Sequence, residues 1–373
     1  MGILDLLIIS IIFSLGISFP LISLLYKLQI TRRGDADFSN LIEQRKSKIG
    51  TPIMGGLIVV LTVVVLNLIF NRDTVAGISG SIKIPILIFL ISALLGALDD
   101  ILNIFGKERK VRRIRRVLML IRVHKSFFKR TMYMLLLPWL IYKRFFFLLG
   151  SNPGKGIQAH EKILVQTIVG LLLAYWIMMG TGWAAAASEI WVPIIGQINI
   201  GLFMVPFIVL AVLTMTNAVN LTDGMDGLAA GLLISAFTAF GIVAYSQQDM
   251  PILILCVTTV GSLITYIYFN IPPARFQMGD VGSLALGTLL VTVAFALQVP
   301  FLLLFVGAGF LIEFMSSLIQ GISRRILGRR VFKMAPFHHH LEMIGWPEEK
   351  VVMRAWIFGI LCSILGLWVY FNL

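Results

Sequence analysis

Ten long apolar stretches, separated by polar segments, constrain this chain of 373 residues more than any other feature. A helix needs about 20 apolar residues to cross the hydrocarbon core of a bilayer. The residues are 58% hydrophobic and only 13% charged, a composition that excludes a water-soluble globular domain. We therefore predict an all-α polytopic membrane protein with a single integral membrane domain, residues 1–373. The ten candidate spans are residues 3–25, 53–70, 84–98, 163–180, 200–215, 228–245, 251–269, 284–297, 301–322 and 356–371.

The positions of the basic residues predict how the chain crosses the membrane. If the N-terminus lies outside, 29 of the 31 Lys and Arg residues fall in alternate loops, and only Arg72 and Lys83 do not. Cytoplasmic loops carry such an excess of positive charge. We therefore expect both termini to be periplasmic. The same rule explains the net charge of +13 without nucleic acid as a partner.

The segment from about residue 107 to residue 160 departs from this pattern. A basic run, KERKVRRIRR, precedes an apolar and aromatic run that Pro138, Lys143 and Arg144 interrupt. An eleventh span here would reverse every later loop and place the basic residues of the last long loop outside, against the charge rule. We predict instead a cytoplasmic arm of helices in the membrane interface, with anionic lipid as its partner. A poorly ordered basic loop is the alternative.

Five aspartates lie on the predicted cytoplasmic side. Asp99 and Asp100 end the third span, Asp223 and Asp226 lie in NAVNLTDGMDGL, and Asp280 lies in QMGDVGS. Adjacent carboxylates at the C-terminal end of a helix oppose the helix dipole and repel each other. A hard cation such as Mg²⁺, shared with substrate phosphates, would relieve that repulsion. The alternative for Asp99 and Asp100 is an ordinary solvated loop start.

Two asparagines extend the candidate site along NAVNLTDGMDGL. Asn217, Asn220, Asp223 and Asp226 recur at a spacing of three and would share one face if the segment were helical. Capping of the following helix by Thr222 or Asp223 is the alternative. Capping accounts for one polar residue rather than four.

Two further motifs carry candidate phosphate ligands. His338, His339 and His340 form a triplet in MAPFHHHLEMIGW, where imidazoles could contact phosphate or position a substrate oxygen. A transition-metal site is the alternative for this triplet. Lys48 precedes a Gly-rich entry to the second span in KIGTPIMGG, which suits the pairing of a phosphate with a closely packed backbone.

Five ordered motifs resemble the phospho-N-acetylmuramoyl-pentapeptide transferase family of the polyprenyl-phosphate N-acetylhexosamine-1-phosphate transferase superfamily. They are KIGTPIMGG, LDD, NAVNLTDGMDGL, FNIPPARFQMGDVGSLALG and MAPFHHHLEMIGWPEEKVVMR. The resemblance covers nearly the whole chain except the arm. It implies ten spans in the bacterial inner (cytoplasmic) membrane. It also implies a reaction in which UDP-N-acetylmuramoyl-pentapeptide and undecaprenyl phosphate give lipid I and UMP with Mg²⁺. A homodimer is a further expectation from the family.

The resemblance also implies roles for single residues. Asp99 would be the base that deprotonates the lipid phosphate, Asp100 would support the metal or the phosphate, and Lys48 would neutralise phosphate charge. Asp280 and Asp223 would hold Mg²⁺. The remaining candidates would bind or support the substrate: Asn217, Asn220, Asp223, Asp226, Asn270, His338, His339 and His340. A two-step route, in which Asp280 or Asp99 attacks first, stays open.

Three other functions compete with this interpretation. A transporter would place its acids near the bilayer midplane, often within repeated halves, whereas these acids lie at loop junctions and no half is duplicated. A non-catalytic lipid-binding scaffold would have no use for every polar motif residue. The nearest rival is a related enzyme that uses UDP-N-acetylglucosamine. The histidine triplet resembles the muramoyl-pentapeptide branch instead.

Overall fold

A computed structural model describes residues 2–32, 50–71, 80–106, 114–124, 126–148, 156–180 and 189–373. Within these ranges the chain is predominantly helical, which confirms the predicted all-α membrane class. The helices are α1 Ile3–Lys27, α2 Leu57–Phe70, α3 Gly80–Phe105, α4 Ile114–Val123, α5 Phe127–Leu148, α6 Ala159–Gly180, α7 Met204–Thr222, α8 Leu228–Ser246, α9 Met250–Asn270, α10 Gly279–Ala296, α11 Leu303–Val306, α12 Ala308–Ile326, α13 Phe337–Met343 and α14 Glu348–Asn372.

Each predicted apolar stretch coincides with one helix, except the stretch 301–322, which is divided between two helical segments bent by 82°. Among the described residues, 8 helices are long and apolar enough to cross a membrane, and the bent pair Pro300–Val306 and Ala308–Ile326 would be a 9th. The helix α2 is a shorter apolar helix at the second predicted span. The protein is therefore a multi-pass membrane protein. The count of ten crossings and the side of each terminus stay predictions.

The sequence did not predict the small β-hairpin between α6 and α7. Strands β1 (Glu189–Val192) and β2 (Gly196–Asn199) pair antiparallel. Its turn is tight, since Ile194 and Gly196 both adopt positive φ. The Trp191 backbone N–H donates to Gln298 O, which anchors the hairpin to the loop after α10. The alternating side chains of a four-residue strand are too few to stand out from the apolar sequence around them.

The helix α10 forms the centre of the bundle. Every side chain from Val281 to Phe295 is buried. Small residues allow its neighbours to approach closely, as in other membrane helix pairs. A Cβ on Gly96 of α3 would lie 2.1 Å from Asp280 O, and a Cβ on Gly287 would lie 2.7 Å from Thr216 Cα of α7. These contacts hold the start of α10 against α3 and its middle against α7.

Candidate active site

The polar motifs meet at one end of the bundle. Asp99 and Asp100 come from α3, Asp223 directly follows α7, and Asp280 comes from the start of α10. The fourth contributor is Lys162 in the first turn of α6, which the sequence had placed among the basic loop residues. Elements that are distant in sequence thus form a cluster of carboxylates, two of which pair with one ammonium group.

Asp280 lies at the centre of this cluster. Its Oδ2 accepts a hydrogen bond of 2.7 Å from Lys162 Nζ, and its Oδ1 accepts one of 2.8 Å from Asn220 Nδ2. The N-terminus of α10 adds the positive end of a helix dipole. The Asp280 side chain keeps 21% exposure. One carboxylate is therefore held in place and still accessible to a ligand.

Asp100 anchors the start of α10. Its two carboxylate oxygens accept from the Asp280 and Val281 backbone N–H groups, both at 3.1 Å. These N–H groups belong to the first turn of α10, where backbone N–H groups have no acceptor within the helix. Gly279, with φ +71°, leaves room for this contact, because a Cβ there would lie 2.6 Å from Asp100 Oδ2. Asp100 therefore positions Asp280.

Asp99 faces Lys162. The two form an ion pair, and the Ile157 backbone N–H donates to Asp99 Oδ1 at 2.5 Å. Asp99 and Asp100 are 2% and 5% exposed, so the solvated loop start that was one alternative is wrong. The helix does not end with the apolar stretch at residue 98, because helical hydrogen bonding continues through both acids to Phe105. Loss of apolar character did not mark the end of the helix.

The structure separates the four polar residues of NAVNLTDGMDGL. The helix α7 ends at Thr222, so the segment is helical at Asn217 and Asn220 but not at Asp223 and Asp226, and the four residues do not share one helical face. Asn220 points to Asp280, whereas Asn217 Nδ2 donates to Gln166 Oε1 at 2.8 Å and to Leu213 O. Asn217 therefore joins α7 to α6. The Asp226 backbone N–H donates to Glu348 Oε1 at 2.9 Å, which ties this loop to α14.

Asn270 joins two loops of the site. Its Oδ1 accepts from Gly227 N at 2.7 Å, and its Nδ2 donates to Phe276 O at 2.8 Å. The side chain is 3% exposed. In this structure Asn270 holds the TDGMDG loop against the FQMGD segment.

The three histidines have different surroundings. His338 Nδ1 and Glu313 Oε2 are 3.0 Å apart, and the His338 backbone N–H also donates to the Glu313 carboxylate. Its Nε2 has no hydrogen-bond partner among the described residues and lies against Gly224, where a Cβ would come within 2.4 Å. His338 therefore presents Nε2 to the TDGMDG loop.

The other two histidines are held by separate partners. His339 Nδ1 lies 3.0 Å from Glu342 Oε2. His340 Nδ1 accepts from Lys333 N, and its ring packs on Phe332 and Phe337. The three rings therefore point to different neighbours rather than to one common point.

The Gly-rich segment before α2 packs against the residues that lead into α10. Gly55 N and Gly56 N donate to Gln277 O and Met278 O, which pairs this segment with the residues just before α10. A Cβ on Gly56 would lie 2.4 Å from Gly282 Cα, so close packing requires glycine here. The predicted phosphate ligand Lys48 lies outside the described residues.

The donor set fits a hard cation that is shared with a ligand. Burial, followed by the neighbouring carboxylates of Asp280 and Asp226, raises the pKa of Asp223 well above its ordinary value. A cation would favour the ionised form of this oxygen ligand. No group of three or more His, Cys, Asp or Glu side chains forms a preformed metal cage in the described ranges. Two carboxylates with substrate phosphates are the usual Mg²⁺ arrangement.

Curated relatives match most of the chain. It is 32% identical over 329 residues to the phospho-N-acetylmuramoyl-pentapeptide-transferase of Oceanobacillus iheyensis, covering 88% of this chain and 86% of the relative. The enzyme of the same name from Enterococcus faecalis is 32% identical over 328 residues, covering 87% and 85%. That from Clostridium perfringens is 32% identical over 349 residues, covering 92% and 93%.

A family model described as Glycosyl transferase family 4 matches residues 154–298, which include Lys162, Asn220, Asp223 and Asp280. The matched region therefore contains most of the charged cluster. The identity to the curated relatives extends beyond it on both sides. The chain belongs to the phospho-N-acetylmuramoyl-pentapeptide transferase family.

Proposed function

We propose that this protein transfers phospho-N-acetylmuramoyl-pentapeptide from UDP-N-acetylmuramoyl-pentapeptide to undecaprenyl phosphate in the bacterial cytoplasmic membrane, as a step of peptidoglycan synthesis. The products would be lipid I and UMP. The observation that carries the proposal is the cluster in which Lys162 bridges Asp99 and Asp280 at the end of the membrane helices. A lipid phosphate and a nucleotide from the cytoplasm would both reach a site at this position.

The chemistry requires one exchange of bonds at phosphorus. An oxygen of the lipid phosphate would attack the phosphorus that carries the sugar, and the bond from that phosphorus to the oxygen of UMP would break. Phosphoryl transfer depends mainly on alignment and on neutralisation of charge. Lys162 supplies a fixed positive charge, and Lys48 is proposed to supply a second one.

Asp99 is proposed to accept the proton of the lipid phosphate, and the contacts with Lys162 and Ile157 N would hold its carboxyl group in place for that step. Asp280 and Asp223 are proposed to hold Mg²⁺ together with substrate phosphates. When bound, the ion would neutralise charge on the transferred phosphoryl group and on the leaving UMP. Asp100 would keep Asp280 in position. In the two-step alternative, Asp99 or Asp280 would form an aspartyl phosphate.

The remaining residues are proposed to position the donor. Asn220 contacts Asp280, and Asn270 holds the loop that contains Asp223 and Asp226, so both would maintain the shape of the nucleotide-sugar site. His338 Nε2 would contact phosphate or sugar oxygens. His339 and His340 would complete the wall of that site.

Donor selection is the most direct test. Purified protein would be incubated with undecaprenyl phosphate, Mg²⁺ and either UDP-N-acetylmuramoyl-pentapeptide or UDP-N-acetylglucosamine. UMP and a lipid product are expected from the muramoyl donor alone. Turnover of the N-acetylglucosamine donor would place the protein in the related branch, and no turnover of either donor would reject the proposal.

A second experiment separates the direct route from the two-step route through an aspartyl phosphate. One displacement inverts the configuration at phosphorus, and two displacements retain it.

A further inference from the structure

The arm between the third and fourth predicted spans contains the two helices α4 and α5. It follows α3, which contributes Asp99, and precedes α6, which contributes Lys162. The arm is therefore inserted between two residues that form an ion pair in the site. The arm is therefore connected along the chain to both residues of that pair.

The outer surface of the arm combines apolar and basic side chains. Phe127, Phe128 and Leu135 are 84%, 79% and 75% exposed. Lys129 and Arg130 are exposed between them. Exposed aromatic groups of this size are unfavourable in water and favourable among lipid headgroups and upper acyl chains. The basic groups match the negative surface of a membrane that contains anionic lipid.

The inner surface of the arm packs on the start of α6. The rings of Trp139, Tyr142 and Phe146 surround His160, with centroid distances of 5.3, 6.1 and 6.2 Å. The Tyr142 hydroxyl also donates to His160 O at 3.1 Å. His160 is fully buried. This aromatic cluster attaches the arm to the chain two residues before Lys162.

The segment 156–162 lies between the arm and the carboxylates. A Cβ on Gly156 would lie 2.4 Å from Asp99 Oδ1 and 2.3 Å from Asn103 Oδ1, so this backbone packs directly on α3. Ile157 N donates to the same Asp99 oxygen. One end of the segment therefore contacts Asp99, and Lys162 at the other end contacts both Asp99 and Asp280.

We propose that the arm is a membrane-surface element that binds anionic lipid headgroups and, through the contacts of Trp139 and Tyr142 with His160, holds segment 156–162 against the carboxylate cluster. Lipid binding is independent of the proposed function. The effect of the arm on catalysis rests on the proposed function. The arm thus couples the composition of the membrane to the position of Lys162.

Lipid binding is tested with a fluorophore at the outer surface. The full chain, with Cys256→Ala and Cys362→Ala, would carry Phe128→Cys labelled with an environment-sensitive dye. It would be placed in nanodiscs of phosphatidylcholine alone or with added phosphatidylglycerol. A blue shift of the emission is expected only with phosphatidylglycerol. The same dye at Ile194→Cys, on the β-hairpin, is expected to give no such shift.

Charge substitutions provide a matched comparison. Lys129→Gln with Arg130→Gln should abolish the shift at position 128. Arg324→Gln with Arg325→Gln removes equal charge from another exposed site at the end of α12, and should leave the shift intact. Two results would overturn anionic-lipid binding by the arm. One is the same emission at position 128 in both lipid compositions, and the other is an equal loss of the emission shift in both double variants.

Coupling to the site is tested by amide hydrogen exchange of a peptide that covers residues 156–162. In the wild type, phosphatidylglycerol should slow this exchange severalfold. Trp139→Leu with Tyr142→Phe should remove the slowing while the dye at position 128 still responds to lipid. An equal exchange rate in both lipid compositions for the wild type would overturn the coupling. Neither measurement needs turnover, so a failure of the proposed reaction can be distinguished from a failure of lipid binding or coupling.

Discussion

Lys162 is the residue on which the charge balance of the site depends. Its ammonium group is shared between Asp99 and Asp280, and the side chain is only 19% exposed. Without it, two mostly buried carboxylates would face each other with no opposing charge. Such groups cost free energy unless a cation lies nearby. At the residue scale, Lys162 supplies the positive charge that holds the two carboxyl groups close together.

We expect Lys162→Gln to lower the rate of UMP release by about 10²-fold, because a preorganised charge at the transferring phosphate is lost. Lys162→Arg should recover part of the rate, since the charge returns with a different shape. Steady-state assays under saturating Mg²⁺ would measure both. Lys83→Gln, an exposed lysine in α3, is the control and should be fully active. Wild-type activity in Lys162→Gln would rule out this role.

The sequence identified the acids of the site but not their cation. Asp99, Asp100, Asp223 and Asp280 stood out because charges are rare in apolar sequence. Lys162 did not, because the same loop contains many other basic residues. Ion pairs between residues 162 and 280 depend on how helices pack, which no local pattern encodes. The different surroundings of the three histidines were unpredictable for the same reason.

At the scale of elements, the close contact of α3 with α10 sets the geometry of the acids. Gly96 makes this contact possible, since a Cβ there would lie 2.1 Å from Asp280 O and 2.5 Å from Val281 N. The obstacle is backbone at the start of a buried helix, which cannot move aside cheaply. Any larger residue must separate α3 from α10 and draw Asp100 away from its two backbone donors.

Gly96→Ala should therefore destabilise the protein by about 1–3 kcal/mol, as overpacking of a tight interior does. It should also reduce activity, because Asp280 is no longer held by Asp100. Thermal unfolding in detergent and UMP release would be measured together. Gly321→Ala in α12 is the matched control, since its Cβ would meet nothing within 4 Å. Unchanged unfolding temperature and activity in Gly96→Ala would contradict this packing argument.

Apolar patterning predicted where helices lie better than where they end. All ten stretches coincide with helices, yet α3 continues to Phe105, beyond the predicted end at residue 98. Polar residues at a helix end lower the hydropathy without breaking backbone hydrogen bonds. The polar spacing in NAVNLTDGMDGL left open whether the segment is helical throughout, and the chain turns after Thr222. Gly224 and Gly227 in that segment were the signal for a turn.

At the scale of the whole molecule, the charge distribution predicts which end of the bundle faces the cytoplasm. The site, the arm and the loop of His338 share one end, and the β-hairpin follows α6 at the other. In intact cells, a membrane-impermeant thiol reagent should label Ile194→Cys but not Phe128→Cys in a background without native cysteines. Phe128→Cys should react only after permeabilisation. The reverse labelling pattern would invert the predicted topology.

The carboxylate cluster is proposed to carry out phosphoryl transfer with a bound Mg²⁺ ion, and a titration of UMP release against Mg²⁺ concentration tests this proposal most directly. Wild type should require the ion. Its apparent affinity should rise with pH, because the raised pKa of Asp223 lets protons compete with the metal. Asp280→Asn should lose about 10²-fold or more in rate. Release that needs no divalent cation, or that persists in Asp280→Asn at the wild-type rate, would contradict the account.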